Sequence, residues 1–301
     1  MAAELERRGW KEARSGECAD FAMWYPYDGN IQTARCELLA SASVNMLDDK
    51  LSMHTLFARN KCESISPPTF FSLPDYLDYL KRTHSKVDCF LKLATGSANL
   101  GLYYFNAMSE LLSTLKQLSV EKRNYVLQAA VDEPWIVLKR KFKVRVYVLL
   151  YSNWRAFVYK DCLTVFNEVS YEPGIKSLRA HASENTDGLT GRLSEIDGDG
   201  NVFEAISTAI MQSLNCLYRS HSAIPMDGSY QLFGFDFVCN SNRRPFLVDV
   251  NSFPNLERTG PQARPLIEAM MRDMFTLLID PKIHNKRSVA GRFREIQIAN
   301  L

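Results

Sequence analysis

Between Leu232 and Leu256 the chain reads LFGFDFVCNSNRRPFLVDVNSFPNL. Two runs of β-forming residues flank a tip of turn composition, and this pairing constrains the fold more than any other stretch. Side chains alternate along a strand with period two. Asp249 and Asn251 therefore share one face of the second run, while Asp236 sits inside the first. Pro245 falls where the first residue of a strand needs no ladder donor. The stretch predicts an antiparallel hairpin that brings two carboxylates and an amide oxygen together. Magnesium takes oxygen ligands, commonly one or two carboxylates with phosphates and waters completing its shell. Asp236, Asp249 and Asn251 are thus the candidate metal ligands, and they point to phosphate chemistry.

A second run carries the opposite charge. In Lys141-Phe-Lys-Val-Arg-Val-Tyr-Val-Leu-Leu, the cations Lys141, Lys143 and Arg145 alternate with Phe142, Val144 and Val146. One face of that strand is cationic and the other apolar. Because the run continues into buried-looking residues, the cations are expected to line an internal cleft. Upstream, a strand ending in Lys92 leads into a loop of small residues around Gly96, where backbone N–H groups can approach phosphate oxygens. The apolar run Tyr125 to Val131 encloses Gln128, which reads equally as a hydrogen-bonded core group. Leu47-Asp-Asp-Lys50 reads as a helix start with an acidic first turn.

These segments, in this order, resemble one family. Asp236 within FGFDF, then Asp249-Val-Asn251 and Phe-Pro-Asn-Leu, is similar to the metal-binding close of the tubulin tyrosine ligase family, members of the ATP-grasp ligases. KFKVR resembles that family's phosphate-facing strand, and Asp49-Lys50 resembles a pair found in several ATP-dependent ligases. The resemblance implies an α/β (α+β) ATP-grasp fold, with a nucleotide cleft between a central lobe and a larger C-terminal lobe of mainly antiparallel sheet. It implies ATP and Mg2+, with two ions. Lys92, Gln128, Ala129, Val131, Lys141, Arg145, Asp236 and Asn251 would face the nucleotide, with Arg145 and Lys141 catalytic. Lys143, Lys160, His181 and Ser183 would face the substrates. Four departures from the pattern stand out: Asp249 replaces the usual Glu, Lys143 an Asp, Ala129 a Lys, and a second phosphate-binding Arg is missing near Val165, with Lys160 the nearest cation.

The implied activity is ligation of an amino acid or amine to a carboxylate of a peptide, a protein tail such as that of tubulin, or an amino acid, through an acylphosphate. A kinase acting on an anionic small molecule and a nucleotide-binding protein without turnover stay open beside it. On the ligase reading, Arg145→Ala lowers turnover on the order of 100-fold, and Asp236→Asn ends magnesium-dependent ATP use with the fold intact.

The 301 residues, 46% of them hydrophobic, suffice for several lobes around one cleft. The expected division is residues 1–66, 67–124 and 125–301, with a break at Ser66-Pro-Pro-Thr. Helices are expected from Asp48 toward Arg59, from Pro74, from Asn106 to Leu118, from a cap formed by Asn201 and Glu204 to Tyr218, and from about Pro265. A net charge of +2 gives no global drive toward nucleic acid or membrane. Seven cysteines without C-x-x-C spacing argue against zinc and for reduced thiols. With no apolar signal core in MAAELERRGWKE and no membrane-spanning run, a cytoplasmic enzyme is expected.

Overall fold

The computed structural model describes residues 6–8, 18–19, 32–33, 46–94, 101–151, 154–182, 188–220, 230–256, 260–281 and 289–298. Strands β1 (Cys18–Ala19) and β2 (Gln32–Thr33) form a short parallel pair. Strands β3 (Thr69–Phe70), β4 (Cys89–Leu93), β5 (Leu102–Phe105) and β6 (Tyr125–Ala129) form a small antiparallel sheet in the order β3-β6-β4-β5. Helix α1 (Lys50–Arg59) begins where Asp49 accepts the Ser52 N–H at 2.7 Å. Helix α2 (Leu73–Thr83) is capped by Ser72, with Pro74 in its first turn, where a missing N–H costs nothing. Together with α3 (Met108–Val120), α2 covers the small sheet over a core that includes Tyr76, Leu91, Leu111, Leu115 and Leu127.

The larger sheet holds β7 (Phe142–Tyr151), β8 (Arg155–Tyr159), β9 (Leu163–Phe166), β10 (Thr190–Arg192), β11 (Tyr230–Cys239), β12 (Pro245–Asn251) and β13 (Phe293–Ile296). Its order is β10-β9-β7-β11-β12, with β8 lying between β7 and β13, and every pairing is antiparallel. Phe142, Val144, Val146, Val148 and Leu150 of β7 join Phe233, Phe235 and Phe237 of β11 on one face, under α1 and α4 (Asn201–Ser220). Tyr147, Leu149, Tyr230 and Leu232 occupy the opposite face, under α5 (Ala263–Met274). Of the cations that precede Tyr147 on this second face, Lys141 and Lys143 line a cavity shared with the small sheet, while Arg145 is buried against Asp236.

Two expectations shift. Tyr125–Ala129 pairs with both β3 and β4, so a boundary at residue 124 would separate hydrogen-bonded neighbours. Strand partnership is a long-range choice that local composition does not carry. Asn201 is already helical: Asp197 Oδ2 accepts the Val202 N–H at 3.0 Å and Asp199 Oδ1 the Asn201 N–H at 3.4 Å. The two shorter carboxylates of the preceding turn take the role expected of Asn201 and Glu204. Among the described residues, Cys62, Cys89, Cys162, Cys216 and Cys239 are free thiols, and no helix is long and apolar enough to cross a membrane.

Candidate functional site

The two sheets face each other across a cavity of about 850 Å3, counting its opening to solvent. Lys50 comes from the first turn of α1, Lys92 and Gln128 from the small sheet, Lys143, Asp236 and Asp249 from the large one, and Lys141 from the residue just before β7. Four lysines thus surround two aspartates, so the space attracts anions.

At its floor lies a buried ion-pair network. The register sets Asp236 opposite Arg145 on one side and Asp249 on the other. Arg145 donates from Nε to Oδ1 at 2.5 Å and from Nη2 to Oδ2 at 2.8 Å, while Lys143 Nζ donates to Oδ2 at 2.9 Å. Asp236 is 2% exposed and Arg145 4%. Burial alone would raise the Asp236 carboxyl, but Arg145 and then Lys143 outweigh it and hold the group well below the usual carboxylate range. Burial likewise opposes the charge on Arg145, and Asp236 overrides it. Gly234 makes room for this pair: a Cβ there would lie 2.9 Å from Arg145 Nη1 and 2.9 Å from Pro254 Cβ.

This geometry changes the expected role of Arg145. Its guanidinium is committed to a carboxylate and does not line the cavity. A buried aspartate without a partner is costly, so the arginine serves the aspartate first. Asp236→Asn would leave Arg145 and Lys143 facing a neutral amide, so a loss of stability is expected beside any loss of ATP use.

The fit to magnesium is divided. Both oxygens of Asp236 are occupied. Asn251 donates its amide to the Gly234 carbonyl at 3.4 Å and lies outside the cavity lining. Asp249, whose Oδ1 lies 3.2 Å from Lys50 Nζ, keeps a side chain 29% exposed. Among the described residues, no group of three or more His, Cys, Asp or Glu side chains could hold a metal ion. The donor set suits one ion at Asp249 better than two ions sharing Asp236.

A β-bulge positions the other cation. The register of β11 and β12 slips between Asp236 and Phe237, which leaves Val248 as the extra residue. Its carbonyl accepts a bond from Lys92 Nζ at 2.7 Å, across from the small sheet. Burial lowers the Lys92 ammonium to about 8, with Asp249 pulling the other way.

Lys141 sits in an aromatic corner. Its Nζ lies 4.0 Å from the Tyr171 ring centroid and 3.0 Å from His181 Nδ1. His181 stacks on Tyr104 at 3.6 Å between centroids, and its Nε2 faces the Ile175 carbonyl at 2.9 Å. A carbonyl only accepts, so Nε2 carries the proton and Nδ1 accepts from Lys141. Burial, then Lys141, lowers His181 to about 4, and burial lowers Lys141 to about 8. Gln128 donates to Thr69 Oγ1 at 3.0 Å and approaches His54 Nε2 at 3.4 Å. It is therefore both the core polar group and the cavity residue that the sequence allowed.

Some expected residues stay apart. Ala129 is buried with its N–H on the Pro68 carbonyl at 2.8 Å, and neither it nor half-buried Val131 lines the cavity. Lys160 is exposed, its main chain bonded to Arg292 at 3.1 Å, so it does not replace the missing arginine. Ser183 and the loop at 95–100 lie outside the described residues. Lys50, legible chiefly as a helix start, belongs to the site. Asn167 also lines it, held by a bond to the Ala180 carbonyl at 3.0 Å, and no sequence signal marks it.

Two antiparallel sheets close on a cleft lined by four lysines and two aspartates. The chain belongs to the tubulin-tyrosine ligase family, whose sequence profile matches residues 37–187 and 187–287. It is similar to tubulin glycylase 3C of Tetrahymena thermophila, 23% identical over 241 residues that cover 68% of this chain and 22% of that protein. A human tubulin polyglutamylase is 23% identical over 256 residues, 72% of this chain and 19% of its own. A probable tubulin–tyrosine ligase of Schizosaccharomyces pombe is 24% identical over 197 residues, 56% of this chain and 46% of its own. The chain thus spans about a fifth of the length of the glycylase and the polyglutamylase.

Proposed function

We propose that this chain is an ATP- and magnesium-dependent ligase that joins an amino acid or amine to a carboxylate of a peptide or protein tail, with a tubulin tail as the leading acceptor class. The cavity between the sheets is read as the nucleotide cleft of an ATP-grasp fold. The observation that carries this reading is the convergence of Lys50, Lys92, Lys141 and Lys143 with Asp236 and Asp249 on one space, in a chain whose relatives are named as a tubulin glycylase and a probable tubulin–tyrosine ligase.

A carboxylate is a poor electrophile toward an amine. Transfer of the γ-phosphoryl group of ATP forms a C–O–P bond at the carboxylate and releases ADP; the amine then attacks the acyl carbon and phosphate leaves with the electron pair. Lys92 and Lys141 bind and position the phosphates as point charges. His181 holds Lys141 toward the cavity. Arg145 fixes Asp236, and Asp249 is the carboxylate open to a divalent cation. His181 is read as lying on the acceptor side.

The test is hydroxylamine trapping with Mg2+, ATP and a panel of amino acids and carboxyl-ended peptides, including tubulin tails. A hydroxamate that depends on both ATP and acceptor is expected. Its absence from every combination, with ATP unconsumed, rejects the ligase. The excess of lysine over aspartate favours one second reading, phosphorylation of an anionic small molecule, which would give a stable phosphorylated product and no hydroxamate.

A further inference from the structure

On β7, Lys143 stands between Lys141 and Arg145, on the cavity side of Asp236. Its ammonium shares Oδ2 of Asp236 with Arg145, at 2.9 Å against 2.8 Å, and Arg145 also holds Oδ1. The three bonds differ in where their donors sit. Arg145 is 5% exposed at its side chain and lies behind the carboxylate, whereas Lys143 is 24% exposed and lines the cavity. The face that Asp236 turns toward the cavity is therefore already an ammonium group. A divalent cation between a carboxylate and a phosphate neutralises the first and presents positive charge to the second. A lysine bonded to the carboxylate and facing the cavity meets both requirements. An added ion on Oδ2 would have to displace Lys143 and stand among Lys50 and Lys92, which line the same space.

We propose that Lys143 is a tethered cation that fills one divalent-ion position of the phosphate site, so that this chain holds a nucleoside triphosphate with one metal ion, at Asp249, instead of two. The inference rests on the nucleotide reading above and concerns only how the phosphate charge is neutralised. Asp249 is the more open of the two carboxylates, its side chain 29% exposed against 2% for Asp236, with Oδ1 paired to Lys50 Nζ at 3.2 Å.

The experiment counts ions. Mn2+ is titrated into the full chain with saturating β,γ-imido-ATP, and the free ion is followed by electron paramagnetic resonance. Wild type is expected to bind one Mn2+ per chain, and Lys143→Asp two. Two ions in wild type, or one in a folded Lys143→Asp variant, overturns the proposal. Lys143→Gln is measured beside it by calorimetry, since it introduces no second carboxylate next to Asp236. Its affinity for the analogue in EDTA is expected to fall on the order of tenfold, as for the loss of one charge-assisted contact. With Mn2+ present the loss is expected to shrink, because removing the ammonium frees Asp236 Oδ2 for an ion; undiminished affinity in EDTA overturns the proposal. Binding of two ions with nucleotide by wild type leaves the ligase reading standing. Failure of wild type to bind the analogue with or without Mn2+ removes both.

Discussion

Lys92 Nζ lies 2.7 Å from the main-chain oxygen of Val248, so the small sheet is tied to the bulge between β11 and β12 of the large sheet. Substituting Lys92 by Met acts in two opposing ways on stability. It leaves the part-buried Val248 carbonyl without this partner, at up to about 1–3 kcal/mol, and it relieves the burial of an ammonium whose pKa is already lowered to about 8. The expected net change is within about 1 kcal/mol by urea unfolding, while triphosphate affinity falls on the order of tenfold or more. A folded variant with wild-type affinity would remove Lys92 from the phosphate site.

Arg145 and Asp236 should behave as a unit. Either single Ala substitution leaves a buried charge without its main partner and is expected to cost about 3–5 kcal/mol. The double variant should cost clearly less than the sum, with a coupling energy of about 1 kcal/mol or more in a double-mutant cycle. Additive losses would show that the two side chains do not stabilise each other.

The lowered lysines predict opposite pH trends for binding and folding. Lys92 and Lys141 lose their charge near 8 in the folded chain, against an ordinary value of 10.5. Triphosphate affinity should therefore drop as pH rises through 8. Between 8 and 10.5 the unfolded chain holds more protons at these sites, so their contribution to stability rises with pH. Buried cysteines pull the other way above 9, because their folded values are raised. The folding arm is accordingly measured as wild type minus Lys92→Met, a difference expected to move in favour of wild type across this window. A flat affinity profile from pH 7 to 9.5 would count against charged lysines in the cavity.

Gly234→Ala tests the space reserved for Arg145. A methyl 2.9 Å from both Arg145 Nη1 and Pro254 Cβ forces one of them to move. The expected loss is about 1–3 kcal/mol in unfolding free energy, accompanied by weaker triphosphate binding as Asp236 shifts with its partner. Stability equal to wild type would mean that the 252–256 segment yields freely.

What could be read from residue order alone is local in origin. Strand alternation placed Lys141, Lys143 and Arg145 on one side of β7 and Asp249 with Asn251 on one side of β12, because period two is a property of the extended backbone. Capping chemistry placed the starts of α1 and α2 to within a residue or two. The metal-ligand and phosphate roles were inferred from those faces and from family resemblance. The tertiary structure then decided the partners. Asp236 meets Arg145 from 91 positions away and Lys143 from 93, and the bulge that offers Val248 to Lys92 spans 156. Tertiary pairing likewise left Lys160 exposed in the bend after β8 and set Tyr125–Ala129 inside the small sheet. A carboxylate's role depends on which charges share its low-dielectric surroundings, and those charges are supplied by strand register across the whole chain.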